Sequence, residues 1–203
     1  MARNLKAKCK ICRRLGESVC GTAKCALVRR SYAPGQHGLK RKPRLTEFGT
    51  QLREKQKAKA LYGILEKQFR NYYLKASKKV GNTSEYLMQL LETRLDNVAY
   101  RAGFAQTRRQ ARQLVTHGHV LVNGKKCNVP SAQVKASDVI SLKPALSKSK
   151  YIEQINTQLK MHEAPHWLQV DKTRHTAQVL ALPTAQDAEK SIAVNMIVEY
   201  YSR

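Results

Sequence analysis

The sequence predicts an α+β fold, in which an arm organised around cysteines precedes a helical region and a small mixed αβ module. Three observations support this prediction. Four of the five cysteines lie within residues 9–25, where apolar side chains are few. Apolar residues then recur at helical spacing between residues 51 and 103. Further on, alternating apolar and polar residues flank Asn123-Gly124, a pair typical of a tight β-hairpin.

The cysteine spacing C-x2-C-x7-C-x4-C predicts a structural zinc site, because two such pairs of thiolates can surround Zn²⁺ tetrahedrally. The arm has too few apolar side chains to fold alone, so a bound metal would stabilise it. Disulfides, a redox C-x2-C pair and a site in which His37 replaces one cysteine are the alternatives. No secretory signal is visible, so we expect a cytosolic chain with reduced thiols. The expected ligands are Cys9, Cys12, Cys20 and Cys25.

The periodicity divides the middle of the chain into helices and strands. Residues 26–50 lack periodicity and are expected to be extended, while residues 51–62 and 64–79 are helical and are separated by Gly63. A third helix is expected to begin at Ser84 and to end at Gly103.

Thr107 then caps a short helix, RRQARQLVTHG, which is followed by the hairpin around Asn123-Gly124 and by a strand, DVISL. Residues 143–165 are polar and partly helical. Further strands or sheet edges are suggested by WLQV and by the apolar run over residues 179–182. Cys127 lies in a strand-like run, and we expect it to be a small buried hydrophobe.

The charge distribution predicts a polyanionic partner. There are 38 Lys and Arg against 14 Asp and Glu, and residues 1–150 hold 33 of those basic and 8 of those acidic side chains. Nucleic acid is the usual partner of such a surface. The alternatives are a soluble protein with a basic face and a protein that binds an anionic membrane. No apolar run approaches transmembrane length, which disfavours the membrane.

Several long strings resemble the family of bacterial small-subunit ribosomal protein four. They are RRSYAPGQHG, QLREKQKAKALYGILEKQFRNYY, LLETRLDNVAYRAGFAQTRRQARQLVTHGHVLVNGKK and the EYYSR ending, and the similarity covers essentially the whole chain. The part from LDNVAYR to VNGKK also resembles a small RNA-binding module that recurs in pseudouridine synthases and tyrosyl-tRNA synthetases.

The resemblance implies an RNA-binding module inserted into a helical domain. The expected divisions are 1–44 for the zinc-knuckle arm, 45–93 plus 186–203 for the helical domain, and 94–185 for the module and its extension. The implied function is that of a structural, primary rRNA-binding protein that contacts a junction in the 5′ domain of the small-subunit rRNA. It would nucleate assembly of the subunit body and support translational accuracy.

Other consequences of the resemblance concern partners and location. It implies contact with ribosomal protein five and other small-subunit proteins and a cytoplasmic location on the ribosome. We expect no small-molecule substrate. The cysteine spacing adds one structural Zn²⁺, and the lack of a long apolar run argues against a membrane. Some family members repress translation of their own messenger RNA. An RNA-modifying enzyme and a DNA-binding zinc protein are the alternatives, but no catalytic pairing of acidic residues and no recognition helix after the cysteines is evident.

The expected RNA contacts are basic or polar residues of the arm, the helices predicted over 51–62 and 64–79, the Thr107-capped helix and the hairpin. On the capped helix, one side carries Ala111, Leu114 and Val115 for the core and another carries the arginines. The full set is Arg3, Arg13, Arg14, Arg29, Arg30, Gln36, His37, Lys40, Arg41, Arg44, Arg53, Lys55, Lys57, Arg70, Arg108, Arg109, Arg112, His117, Lys125 and Lys126.

Overall fold

A computed structural model describes residues 7–40, 44–146, 150–184, 187, 189 and 191–203. Its contacts divide the chain into two compact units. The first unit contains Met1–Leu87 and Glu189–Arg203, and the second contains Met88–Ala188. The predicted α+β class is confirmed, because the described residues form helices and one small antiparallel sheet.

The first unit is helical. Its helices are α1 (Lys8–Leu15), α2 (Ala26–Arg29), α3 (Glu47–Leu61), α4 (Glu66–Ser77) and, near the C-terminus, α9 (Val194–Ser202), while α5 (Thr83–Glu92) runs on into the second unit. Thr46 caps α3, its Oγ1 accepting a hydrogen bond from the Gly49 N–H at 3.2 Å. The rings of Phe48 and Tyr200 lie 5.5 Å apart between α3 and α9, and the fully buried Phe69 and Ile197 contribute to the core.

The second unit packs helices against a five-stranded sheet. Its elements are α6 (Leu95–Arg101), α7 (Arg108–Thr116), β1 (Val120–Val122), β2 (Lys125–Lys126), β3 (Val139–Leu142), α8 (Lys150–Met161), β4 (Leu168–Asp171) and β5 (Thr176–Val179), with a 3₁₀ turn at Pro144–Leu146. The strand order is β2-β1-β3-β5-β4, and every neighbouring pair is antiparallel. Phe104, Val115, Ile140 and Trp167 belong to its apolar core.

Local signals in this unit are confirmed. The hairpin pairs Val122 with Lys125, and both Asn123 and Gly124 have positive φ, as a two-residue turn of the primed type requires. Thr107 caps α7, its Oγ1 accepting a hydrogen bond from the Gln110 N–H at 3.3 Å.

The predicted helix from Ser84 to Gly103 is wrong in two respects. It is two helices, and Asn82 rather than Ser84 caps the first of them, its Oδ1 accepting a hydrogen bond from the Ser84 N–H at 3.0 Å. Between α5 and α6, Arg94 forms a β-bridge with Gln133, and the Thr93 hydroxyl donates a 2.6 Å hydrogen bond to the Gln133 side chain. The segment around Gln133 thus pairs with the backbone at Arg94 and bonds to the side chain of Thr93 at the point where a single helix would otherwise continue. Residues 26–50 also contain α2 and the start of α3, and Cys127 is half-buried rather than buried.

Candidate nucleic-acid interface and metal site

Three of the four predicted zinc ligands come together at the N-terminus. Cys9 lies on α1, Cys20 lies in the loop after it, and Cys25 precedes α2. Their Sγ atoms all lie within 4.8 Å of one another. Sulfurs around a tetrahedral zinc with bonds of about 2.3 Å are roughly 3.8 Å apart, so a small adjustment would let these thiols share one ion.

Cys12 completes a network of thiols. It is fully buried, and burial together with the neighbouring Cys20 and Cys25 thiols raises the pKa of Cys12 to about 12. Burial also raises the pKa of Cys20, but hydrogen bonds from Thr22, Cys25 and Ser18 outweigh it and lower that pKa to about 6. All four cysteines are free thiols. Four sulfur donors suit a structural zinc site, and the role of Cys12 as the fourth ligand stays a prediction.

Side chains from α3 hold the loop between the cysteine pairs. The guanidinium of Arg53 donates to the carbonyl of Leu15, and Lys57 Nζ lies 2.6 Å from a carboxylate oxygen of Glu17. Arg13 on α1 donates from Nε to the Tyr32 carbonyl at 3.0 Å and lies over the Tyr32 ring. Arg53 and Lys57 therefore attach the arm to α3, whereas Arg13 and Tyr32 join two parts of the arm itself.

Two of the lysines predicted to bind RNA are buried instead. Lys55 and Lys57 expose only 4% and 5% of their surface. Lys55 Nζ lies 2.9 Å from Glu66 and 4.3 Å from the centre of the Tyr200 ring, whereas Lys57 pairs with Glu17 and lies 3.8 Å from Glu54. Acidic partners within the protein neutralise these charges, so their position gives no support to the predicted RNA contact.

The other predicted contacts of the first unit are mostly at the surface. Arg13 and Arg53 are half-buried, and Arg3 and Arg41 lie outside the described residues. The exposed members are Arg14, Arg29, Arg30, Gln36, His37, Lys40, Arg44 and Arg70.

Helix α7 in the second unit presents three arginines beside a buried apolar side. Ala111, Leu114 and Val115 are buried, as predicted. Arg109 is exposed, whereas Arg108 and Arg112 are half-buried and contact α6. These contacts hold two of the three arginines against the protein and leave the third in solvent.

The contacts of Arg108 and Arg112 involve three side chains of α6. Arg108 Nε donates to Asn97 Oδ1 at 2.9 Å, and its guanidinium lies 4.6 Å from the centre of the Tyr100 ring. Arg112 lies 3.6 Å from Asp96, which is also paired with the buried Arg94 at 2.7 Å.

The end of α7 lies beside the hairpin, as the sequence predicted. A Cβ at Gly118 would lie 2.2 Å from Cε of Lys126, so this glycine allows the lysine stem to cross the turn that ends α7. His117, Lys125 and Lys126 are all exposed. The structure thus brings the arginine helix, His117 and the hairpin lysines to one part of the second unit.

The burial of two carboxylates, those of Glu92 and Asp96, was not predicted from the sequence. Glu92 is fully buried, and Arg101 donates to both of its oxygens at 3.0 Å. Asn97 donates to the same carboxylate at 2.7 Å. The motif LETRLDNVAYR contains these acidic, amide and basic groups, but only the break between α5 and α6 brings them together.

Within the described part of the chain, no helix combines the length and the apolar character needed to cross a bilayer.

Comparisons with known proteins identify the family. Residues 3–92 match the model of the ribosomal protein S4/S9 N-terminal domain, and residues 93–140 match that of the S4 domain. The small ribosomal subunit proteins uS4 of Acetivibrio thermocellus and Acidobacterium capsulatum are each 49% identical over 209 residues, covering 100% of both chains. The chain belongs to the bacterial uS4 family. The uS4A protein of Alkaliphilus oremlandii is similar to the same extent.

Membership of the uS4 family confirms the predicted resemblance and the prediction of a small-subunit ribosomal protein. The uS4 relatives carry the names of ribosomal proteins rather than of enzymes. The boundary between the two family models, at residues 92 and 93, falls where α5 ends and the β-bridge precedes α6.

Proposed function

We propose that the chain is a structural component of the small ribosomal subunit that binds rRNA chiefly through phosphate groups, and that it has no enzymatic activity. The observation that carries this proposal is the edge formed by α7 and the hairpin, where Arg109, His117, Lys125 and Lys126 are exposed around a rigid core. Folded RNA is recognised largely through its backbone, so cations on a rigid frame suit it.

We further propose that the basic arm supplies a second set of phosphate contacts. Arg14, Arg29, Arg30 and Lys40 are exposed within or just after the cysteine-containing segment. A segment with so little buried apolar surface is ordered by local contacts and by what it binds. The family resemblance supports a target at a junction in the 5′ domain of the rRNA, a role in nucleating assembly of the subunit body, and an influence on translational accuracy.

Finer points of partner and organisation are also proposals. The resemblance supports contact with ribosomal protein five, and α9 suits a protein partner better than RNA because it carries no basic side chain. It equally supports repression of the chain's own messenger RNA, and the three-part division into residues 1–44, 45–93 plus 186–203, and 94–185. The ribosome is the proposed location, with no small-molecule substrate.

We propose one structural zinc ion per chain, held by Cys9, Cys12, Cys20 and Cys25. The support is the close approach of three thiols, the burial of the fourth, and the small apolar core of the arm. Zinc there would cross-link α1 to the segment before α2, and so keep Arg13 and Arg14 in place.

Elemental analysis of protein purified under reducing, chelator-free conditions tests the metal site. We expect about one zinc per chain, as a four-thiolate site requires. Cys25→Ser should abolish it, and Cys127→Ser is the matched control that should retain it. A zinc content near zero in the wild-type protein would exclude the site.

The RNA-binding proposal is tested by comparing affinity for a small-subunit rRNA fragment from the 5′ domain with affinity for duplex DNA of equal length. Both should depend on salt, but the rRNA should bind more tightly at every salt concentration because the cations are arranged for a folded RNA. Equal affinity for the two nucleic acids would reduce the surface to a non-specific basic patch.

A further inference from the structure

We propose that Asn97 and Tyr100 on α6 are positioning residues that fix the guanidinium of Arg108 for a phosphate of the RNA. This inference rests on the proposed function, since it assigns a role in RNA binding to residues that need not touch RNA themselves. Asn97 is buried, with 2% of its surface exposed, and Tyr100 is half-buried at the edge of the apolar core.

Every polar atom of the Asn97 amide is engaged. Its Nδ2 donates to the Glu92 carboxylate at 2.7 Å and to the Glu92 carbonyl at 3.0 Å, which leaves Oδ1 to accept from Arg108 Nε at 2.9 Å. An amide has donors on one side and an acceptor on the other. The buried, arginine-paired Glu92 therefore sets the orientation of Asn97, and Asn97 in turn sets that of Arg108.

Tyr100 constrains the same guanidinium from another direction. Its ring centre lies 4.6 Å from Cζ of Arg108, within the range of a cation–π contact. A hydrogen bond at Nε and a ring against the guanidinium together limit both the position and the tilt of the group. Arginine recognises phosphate through a planar fork of donors, so the tilt of that plane decides whether two hydrogen bonds form at once.

Arg109 provides the internal comparison. It lies next to Arg108 on α7 but is exposed, and within the described residues no hydrogen bond, ion pair or ring contact holds it to α6. Phosphate binding by Arg109 must therefore order a side chain that no such contact holds, whereas Arg108 is already held by Asn97 and Tyr100. Holding a long side chain in place beforehand avoids an entropic cost that corresponds to about two- to tenfold in affinity.

A double-mutant cycle on the full-length protein tests the role of Tyr100. The variants are Tyr100→Leu, Arg108→Ala and the two combined, with Tyr100→Phe as the control that keeps the ring. The measurement is affinity for the rRNA fragment across a salt series, and circular dichroism checks that each variant is folded. We expect Tyr100→Leu to weaken binding about two- to tenfold with an unchanged salt slope, and Tyr100→Phe to bind as the wild type.

In the Arg108→Ala background, Tyr100→Leu should have no further effect, because its role passes through Arg108. Arg108→Ala itself should lower the salt slope by about 0.7–0.9, as loss of one phosphate contact does. Asn97→Ser, examined in the same two backgrounds, should behave like Tyr100→Leu. If Asn97→Ser fails to fold, the Tyr100 cycle decides alone.

The outcomes separate this inference from the function on which it rests. If Tyr100→Leu is silent, or weakens binding equally with and without Arg108, the positioning role is wrong while the RNA surface on α7 stands. If Arg109→Ala weakens binding and Arg108→Ala does not, the positioning role is again wrong. If Arg108→Ala, Arg109→Ala and Lys126→Ala are all folded and bind as the wild type, the RNA surface itself is wrong.

Discussion

Helices α3 and α7 are both rich in basic residues, but the structure uses their cations differently. On α3, Lys55 and Lys57 are buried against Glu66, Glu17 and Glu54 and stabilise the first unit. On α7, Arg109 remains in solvent. Positive charge in a sequence therefore does not identify a nucleic-acid surface by itself, because acidic partners elsewhere in the chain decide which cations are available.

The two helices also differ in how their remaining cations are held. Arg53 of α3 donates to the Leu15 carbonyl and so attaches the cysteine-containing arm. Arg108 and Arg112 of α7 contact Asn97 and Asp96, which lie on a helix of the apolar core. The α3 contacts join that helix to the cysteine-containing arm. The α7 contacts instead hold two arginine side chains in place beside the exposed Arg109.

The largest stability effect is expected for Lys57→Ala. Loss of this buried cation removes the positive partner of Glu17 and Glu54. We expect the free energy of unfolding to fall by about 1–3 kcal/mol, a figure reduced because Glu17 is half-exposed. Urea unfolding gives this value. The salt slope of rRNA binding should not change, and a slope lowered as for a lost phosphate contact would contradict the division between α3 and α7. Lys67→Ala, at an exposed site on α4, is the control.

Thr107→Ala should have the next largest effect. The Thr107 hydroxyl caps α7, so its loss should destabilise the second unit by about 1 kcal/mol and loosen the first turn, which carries Arg108 and Arg109. Thr107→Ser retains a capping oxygen and should restore both stability and rRNA affinity. Equal behaviour of the Ala and Ser variants would show that the cap does not support the arginine helix.

A smaller, pH-dependent effect is expected at Glu66. Burial raises the pKa of Glu66, but hydrogen bonds from Lys55, Lys59 and Tyr201 outweigh it and lower that pKa from 4.5 to about 2. A carboxyl whose pKa is lower in the folded state stabilises that state above its unfolded pKa. The stabilisation is thus complete above about pH 5 and disappears as the pH falls towards 2.

The test is Glu66→Gln, followed by urea unfolding between neutral and acidic pH. Because the Glu66 side chain is 46% exposed, we expect less than about 1 kcal/mol of difference from the wild type at neutral pH, shrinking steadily on acidification. A difference that is constant with pH would mean that the effect comes from packing rather than from charge.

Arg109→Ala should have the smallest effect on folding. Its side chain is exposed, so stability should change by less than about 0.5 kcal/mol, while the salt slope of rRNA binding should fall by about 0.7–0.9. Lys57→Ala should lower stability and leave the salt slope of rRNA binding unchanged, whereas Arg109→Ala should lower the salt slope and leave stability almost unchanged. A slope that stays at the wild-type value would remove Arg109 from the interface.

Features fixed by neighbours in sequence could be predicted, as the hairpin and the α7 cap illustrate. Asn123-Gly124 and Thr107 act through bonds within a few residues, so their patterns suffice. The break between α5 and α6 could not be predicted, because it depends on Gln133, which lies 40 residues from Thr93. The periodicity of apolar residues shows only which residues face the core, and it continues without interruption across the break between α5 and α6.

The candidate site divides in the same way. The cysteine spacing predicted a cluster, and the arc of arginines on α7 predicted which side faces the core. The burial of Lys57 depends on Glu17, a residue of the cysteine loop, and the setting of Arg108 depends on the amide of Asn97. Such contacts depend on tertiary structure, so they cannot be predicted from the pattern of charges along the chain.

The single tryptophan has a practical consequence. Trp167 is 1% exposed in the core of the second unit, whereas among the nine tyrosines only Tyr100 and Tyr151 belong to that unit. Tryptophan fluorescence, excited at the long-wavelength edge of the absorption band, therefore reports on the second unit. Tyrosine absorbance reports mainly on the first unit. The wild-type chain carries its own pair of optical probes, so the order in which its two halves melt can be recorded in one cuvette without any label.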